Sequence, residues 1–120
     1  HLAALLSRFR HTNTLVIADK GFPFWPAVPT VDLSLADDIP TVRQALLTVT
    51  DACTIGAAWM AKEFHSGNGE EIRKAYVALL GEISIEFEPH AEFKKRVPSA
   101  IGLIRTGDTT QYGNIILQSA

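Results

Sequence analysis

Hydrophobic residues recur along the chain with two periods. Leu2, Leu5, Leu6 and Phe9 keep the i, i+3, i+4, i+7 spacing of one buried helix face. Val42, Ala45, Leu46 and Val49 repeat it after Pro40, a residue suited to a helix's first turn. Ile72, Tyr76, Leu79 and Leu80 follow it less regularly, behind Asn68 and Glu71 at capping-box spacing. A fourth, short helix is expected near Ala91 to Val97, basic on one side and stopped by Pro98.

Between these lie runs that read as strands: Thr14–Asp19, Val31–Leu35, Cys53–Met60, Ile85–Glu88, Ile101–Arg105 and Tyr112–Leu117. Several are apolar almost throughout, as strands covered on both faces must be. The alternation of helix and strand predicts an α/β fold: three layers, α/β/α, around a mixed, mostly parallel sheet of about six strands. No repeat, low-complexity tract or linker interrupts it, so residues 1–120 are expected to form a single domain.

Composition narrows the function classes. At 47% hydrophobic and 20% charged residues the chain is ordinary globular material. A net charge of −2 with scattered Lys and Arg gives no footprint for nucleic acid. No apolar stretch reaches the length of a membrane span, so no membrane partner is expected. The single Cys53 lies in an apolar run, reads as a buried thiol and suits a cytoplasmic location. Residue 1 is His, so the chain is expected to begin inside a longer natural one, with a few residues missing at either end.

Candidate chemistry gathers at element ends. His11 sits where the first helix gives way to a strand, either as a catalytic imidazole or as a helix-terminal residue meeting the dipole. Asp19 closes the run Thr14–Asp19, at the ligand edge of an α/β sheet or as a turn residue before Gly21. His90 follows Ile85–Glu88 and could equally belong to the start of the next helix. Tyr112 and Asn114, read as strand residues two apart, would present a hydroxyl and an amide on one face, matching sugar hydroxyls. Phe22-Pro23-Phe24-Trp25-Pro26 is a stiff aromatic loop that could pack on a sugar's C–H face, form an interface or cover core. His65 reads as a solvated loop residue, Lys94-Lys95-Arg96 as a solvated helix face, and Arg105 with Asp108 as a turn with a surface ion pair. Dinucleotide fingerprints, phosphate loops, helical metal-binding His pairs and serine elbows are absent.

Four blocks taken together resemble the ribose pyranase and fucose mutarotase family. They are His11-Thr12-Asn13-Thr14-Leu15-Val16-Ile17-Ala18-Asp19 with Gly21 and Pro23; Val31-Asp32-Leu33-Ser34-Leu35 with Ile39-Pro40; His90-Ala91-Glu92-Phe93-Lys94; and Ile104-Arg105-Thr106-Gly107-Asp108 before Tyr112-Gly113-Asn114-Ile115-Ile116-Leu117. The resemblance implies a cofactor-independent isomerase that interconverts cyclic forms of a free monosaccharide and uses no metal. It implies His11 as the proton donor and Asp19, His90, Tyr112 and Asn114 as residues that hold the sugar, with Asp19 either orienting His11 or binding a hydroxyl. It further implies a homo-oligomeric ring, typically a decamer, with sites close to subunit boundaries.

The ribose branch tends to carry His where His90 stands and the fucose branch Arg, so D-ribose is the expected substrate. Lys20, Arg10, Asn13 and Phe24-Trp25-Pro26 depart from both branches and are expected to crowd the pocket mouth. Three alternatives stay open: a mutarotase for L-fucose or another sugar, a sugar-binding ring without catalysis, and a purely structural oligomer.

Overall fold

The computed structural model describes residues 1–120. Its centre is a six-stranded sheet built from β1 (Thr14–Ala18), β2 (Thr30–Asp32), β3 (Ile55–Ala61), β4 (Ile85–Glu88), β5 (Gly102–Arg105) and β6 (Ile115–Ser119), in the order β2-β5-β1-β6-β3-β4. Pairs β2·β5, β5·β1 and β3·β4 are parallel, while β6 runs antiparallel to both β1 and β3. The mixed, mostly parallel sheet read from the sequence is therefore the one observed. Five strand C-termini and the N-terminus of β6 share one edge.

The period-2 signal inside β1 explains the layering. Leu15 and Ile17 join one apolar cluster, whereas Val16 and Ala18 join another across the sheet. The first cluster takes Leu5 from α1 (Leu2–Ser7), the whole predicted face Val42, Ala45, Leu46 and Val49 from α2 (Val42–Ala52), Phe64 from α3 (Glu63–Gly67), and Tyr76 and Leu80 from α4 (Glu70–Leu80). The second takes Phe93 of α5 (His90–Arg96) and Val97 of the 3-10 turn Val97–Ser99, with Phe22, Trp25 and Val28 from the loop after β1. The second outer layer is thus one short helix plus the aromatic loop.

Several local expectations are corrected. Helix α2 is capped by Thr41, not started by Pro40: Thr41 and Gln44 form the reciprocal capping box. The box expected at Asn68 does not form, because Gly69 is the N-cap of α4 and the Asn68 amide donates instead to Phe64 O and Gln111 O. His65 lies in the last turn of α3 rather than in a loop. The final strand begins at Ile115, leaving Tyr112 and Asn114 in the preceding turn.

Candidate active site

A cleft of about 620 Å³ opens at the edge shared by the strand C-termini, lined by Asp19, Lys20, Phe22, His90, Arg105, Asp108, Tyr112 and Asn114 among its thirteen residues. That volume falls within the range of small-molecule sites. The groups arrive by four routes: Asp19 directly follows β1, Arg105 ends β5, His90 opens α5 after β4, and Tyr112 and Asn114 lead into β6.

Asn114 ties the floor together. It is 4% exposed, and its Oδ1 accepts the Asp19 amide hydrogen at 2.6 Å. Burial raises the Asp19 carboxyl above the usual aspartate range; the Gly21 amide pulls it back, the Asp108 charge adds to the rise, and the Phe22 amide and the Asn114 side chain oppose it. Asp108 is buried rather than at the surface, and it does not pair with Arg105. Its carboxylate accepts from the amides of Val42, at the start of α2, and Thr110, both at 2.8 Å. Arg105 instead donates to Asp32 at 2.9 Å, to Ser34 Oγ at 2.6 Å, and to the Lys20 carbonyl at 3.1 and 3.3 Å. These bonds strap the loop after β1 to the end of β2.

Between Arg105 and Asp108 the chain passes so close to the 36–39 turn that only Gly107 fits. A Cβ there would lie 2.8 Å from Ile39 O and closer still to Ala36 O.

The Tyr112–Asn114 turn replaces the strand expected there, so these two side chains do not share a face by alternation. Tyr112 sits at φ 55°, in the left-handed region that a bulky residue rarely enters. The turn is pinned from α4 by Tyr76, whose hydroxyl donates to Gly113 O at 3.1 Å and is held far above the ordinary tyrosine range by burial. The result still brings the Tyr112 ring edge-on to His90, with centroids 5.0 Å apart. Phe93 stacks behind His90 at 6.0 Å, and Phe22 stands edge-on at 6.5 Å. Burial, reinforced by Lys94 and opposed by Glu63, lowers the His90 pKa and favours neutral imidazole. Its Nδ1 is buried without a hydrogen-bond partner in the chain.

His11 is not part of this cleft. It is exposed in a turn at the opposite end of β1, beside the C-terminal end of β6, where the Thr12 amide donates to Ser119 O at 3.1 Å. The extended strand between His11 and Asp19 spans about 16 Å. Asp19 therefore cannot orient His11 within one chain. Arg10 and Asn13 are at that same far end, tied to each other through Arg10 N and Asn13 Oδ1 at 2.9 Å, so they do not crowd the cleft of their own chain. Of the departures at the mouth, Lys20 lines it and pairs with Asp37, whereas Phe24 is 80% exposed and Trp25 packs into the second cluster.

The residues missed by sequence reasoning are Asp108, Arg105 in its strapping role, Tyr76 and Glu63. The last accepts the His90 amide hydrogen with both carboxylate oxygens, at 3.0 and 3.2 Å. The Thr106-Gly107-Asp108 segment did carry a signal, since a Gly between polar residues after a strand marks a crowded turn at a ligand edge.

The family model described as "RbsD / FucU transport protein family" matches residues 1–120. The chain is 37% identical to the D-ribose pyranase of Bacillus licheniformis over 120 residues, covering 99% of this chain and 90% of that protein. It is 33% identical to the D-ribose pyranase of a Streptococcus agalactiae strain over 119 residues, covering 99% and 90%. Among solved structures, Bacillus subtilis RbsD complexed with D-ribose superposes with a TM-score of 0.94 at 35% identity, covering 100% of this chain and 91% of that one. The fucose mutarotase of Streptococcus pneumoniae in complex with L-fucose, at 20% identity and covering 99% and 90%, shares the fold with a TM-score of 0.82. No helix is long and apolar enough to cross a membrane.

Proposed function

The chain belongs to the RbsD/FucU family, and from that premise we propose that residues 1–120 act as one sugar-binding domain that interconverts the ring forms of free D-ribose. The observation that carries this reading is the cleft itself, which gathers Asp19, His90, and the pair Tyr112 and Asn114 from three separate segments at one sheet edge. The similarity to D-ribose pyranases at 37% identity, against 20% to a fucose mutarotase, favours ribose.

Ring opening needs two proton movements. The anomeric hydroxyl loses its proton and its oxygen becomes a carbonyl. The bond from the anomeric carbon to the ring oxygen breaks, and its electron pair stays on that oxygen, which takes up a proton. Rotation and closure through another hydroxyl changes the ring size; closure through the same one exchanges the anomers. No oxidant or reductant enters. The carboxyl of Asp19 is shifted up and the imidazole of His90 down, so their proton affinities are drawn toward each other. Either suits acceptance of the anomeric proton. Tyr112 and Asn114 supply donors and acceptors for the remaining hydroxyls.

The proton for the ring oxygen is assigned to His11, imidazole being the side chain most often used for general acid–base work. Because the His11 of the same chain lies at the other end of β1, we assign this role to His11 of a second copy. Exposed Leu35, Ile39 and Phe24 offer apolar surface for such an assembly, and the closed ring typical of the resemblance would repeat the contact. A second reading makes His90 the acid of a self-contained site, favoured by its position inside the cleft. The cytoplasm is the proposed location.

The test is a magnetisation-transfer measurement of ring exchange over a panel of free sugars. Ribose should be accelerated most; a preference for fucose would overturn the substrate, and no acceleration of any sugar would leave a binding protein.

A further inference from the structure

Helix α5 begins with a difficulty of its own making. Its N-cap is Pro89, which has no side chain able to cap and leaves the His90 amide hydrogen without an intrahelical acceptor. Phe93 N–H bonds back to Pro89 O at 3.0 Å and Glu92 N–H at 2.9 Å, but the first amide must look elsewhere. It finds Glu63, twenty-seven positions earlier, on the short helix α3. Both carboxylate oxygens lie within bonding distance of the His90 nitrogen, and the ionised acceptor makes the bond stronger than a neutral cap would. A second tie joins the same two segments, from the Lys62 amide to Glu88 O at 2.7 Å.

The consequence is felt at the imidazole. His90 is the first residue of α5, so the anchor that fixes its backbone also fixes where its ring leaves the helix. That ring is bonded to nothing in the chain through Nδ1 and is held by aromatic neighbours, Tyr112 at 5.0 Å, Phe93 at 6.0 Å and Phe22 at 6.5 Å. Aromatic packing alone allows sliding, whereas a charge-assisted bond to the adjacent amide does not. We propose that Glu63 is a positioning residue for sugar binding, acting through the backbone of His90 to hold the imidazole against Tyr112 in the cleft. This rests on reading the cleft as the ribose site.

Two substitutions separate positioning from mere support. Glu63→Met keeps length and an apolar stem but removes the acceptor; Glu63→Gln restores an acceptor oxygen without the charge. The expectation is that Met raises KM for ribose about 10–100-fold with a much smaller change in kcat, the signature of a lost binding contact worth a hydrogen bond to a polar group. Gln should return KM close to the unsubstituted value, because the amide carbonyl still receives the His90 N–H. Crystal structures of both variants give a readout independent of turnover: the His90–Tyr112 ring contact should be lost or displaced in Met and kept in Gln. A Met variant with KM unchanged and the ring contact intact, even at a lower melting temperature, would overturn the inference. So would a Gln variant no better than Met. If the unsubstituted protein exchanges no sugar, the ribose reading falls, while the ring contact in the two structures still decides whether Glu63 positions His90.

Discussion

Replacing Asn114 by Leu asks how much of the cleft rests on a single amide. Leu keeps the same number of side-chain heavy atoms and the same branch point at a position 4% exposed, so the substitution opens no cavity. What is lost is the acceptor for the Asp19 amide, now bonded at 2.6 Å, and the side-chain bond that draws the Asp19 carboxyl downward. An orphaned buried donor costs about 1–3 kcal/mol. For a chain of this size that is a fall in Tm of roughly 4–12 °C. With the Asn114 bond gone, the pKa of Asp19, already raised, climbs further, so the acid limb of ring exchange moves to higher pH. Asn114→Asp provides the control: it keeps an acceptor for the amide and most of the stability, but adds a like charge that also pushes Asp19 upward. Calorimetry and exchange rates against pH, on the same preparations, read both effects. An Asn114→Leu variant with unchanged Tm and an unchanged acid limb would refute the reasoning.

Further outcomes follow from the same geometry. If His11 serves the cleft of a second copy, His11→Gln and the double variant Asp19→Asn/His90→Gln, each nearly inactive alone, should regain measurable exchange when refolded together; no recovery would return the acid's role to His90. Tyr112→Gly relieves a left-handed backbone at φ 55° that costs a bulky residue about 1–2 kcal/mol, so Tm should hold or rise while ribose affinity falls. A drop in both would mean the ring is structural. The cleft's two shifted groups act oppositely on stability. His90 has a folded pKa below 6.5, so the unfolded chain binds more protons there and stability is lost as pH falls through that window. Asp19 has a folded pKa above 3.8, so stability falls as pH rises from 3.8 through its folded value. Melting curves of His90→Gln and Asp19→Asn across this range should each flatten one slope.

How much of this was legible in the chain differs by the range of the interaction. Val42, Ala45, Leu46 and Val49 announce their buried face by spacing alone, and Ile85–Glu88 has the boundaries its alternation gives it. Asp19 and His90 were locatable because strand ends in such sheets share an edge. For Tyr112 and Asn114 the resemblance pointed to the cleft, but the alternation argument failed: the apolar run Ile115–Leu117 invites extension backwards into a strand, and nothing in the letters shows a positive φ at Tyr112. Glu63, Tyr76 and Asp108 act across 27, 37 and 66 positions, on His90, Gly113 and Val42. Local pattern carries no information at that separation. Helix α3 escaped notice because His65-Ser66-Gly67-Asn68-Gly69 has the composition of a turn and yields only five helical residues. His11 teaches the converse. Eight positions from Asp19 in sequence, it is kept from the cleft by the very strand that positions Asp19.

The most direct test of the account is the rate at which D-ribose passes between pyranose and furanose forms, measured by magnetisation transfer with the protein and with its His11→Gln variant. The account predicts clear acceleration by the unsubstituted protein. It predicts loss of about 10²–10⁴-fold of that acceleration in the variant, the usual worth of a positioned acid, with ribose binding largely kept. Ribose exchange no faster with the protein than without it would contradict the account.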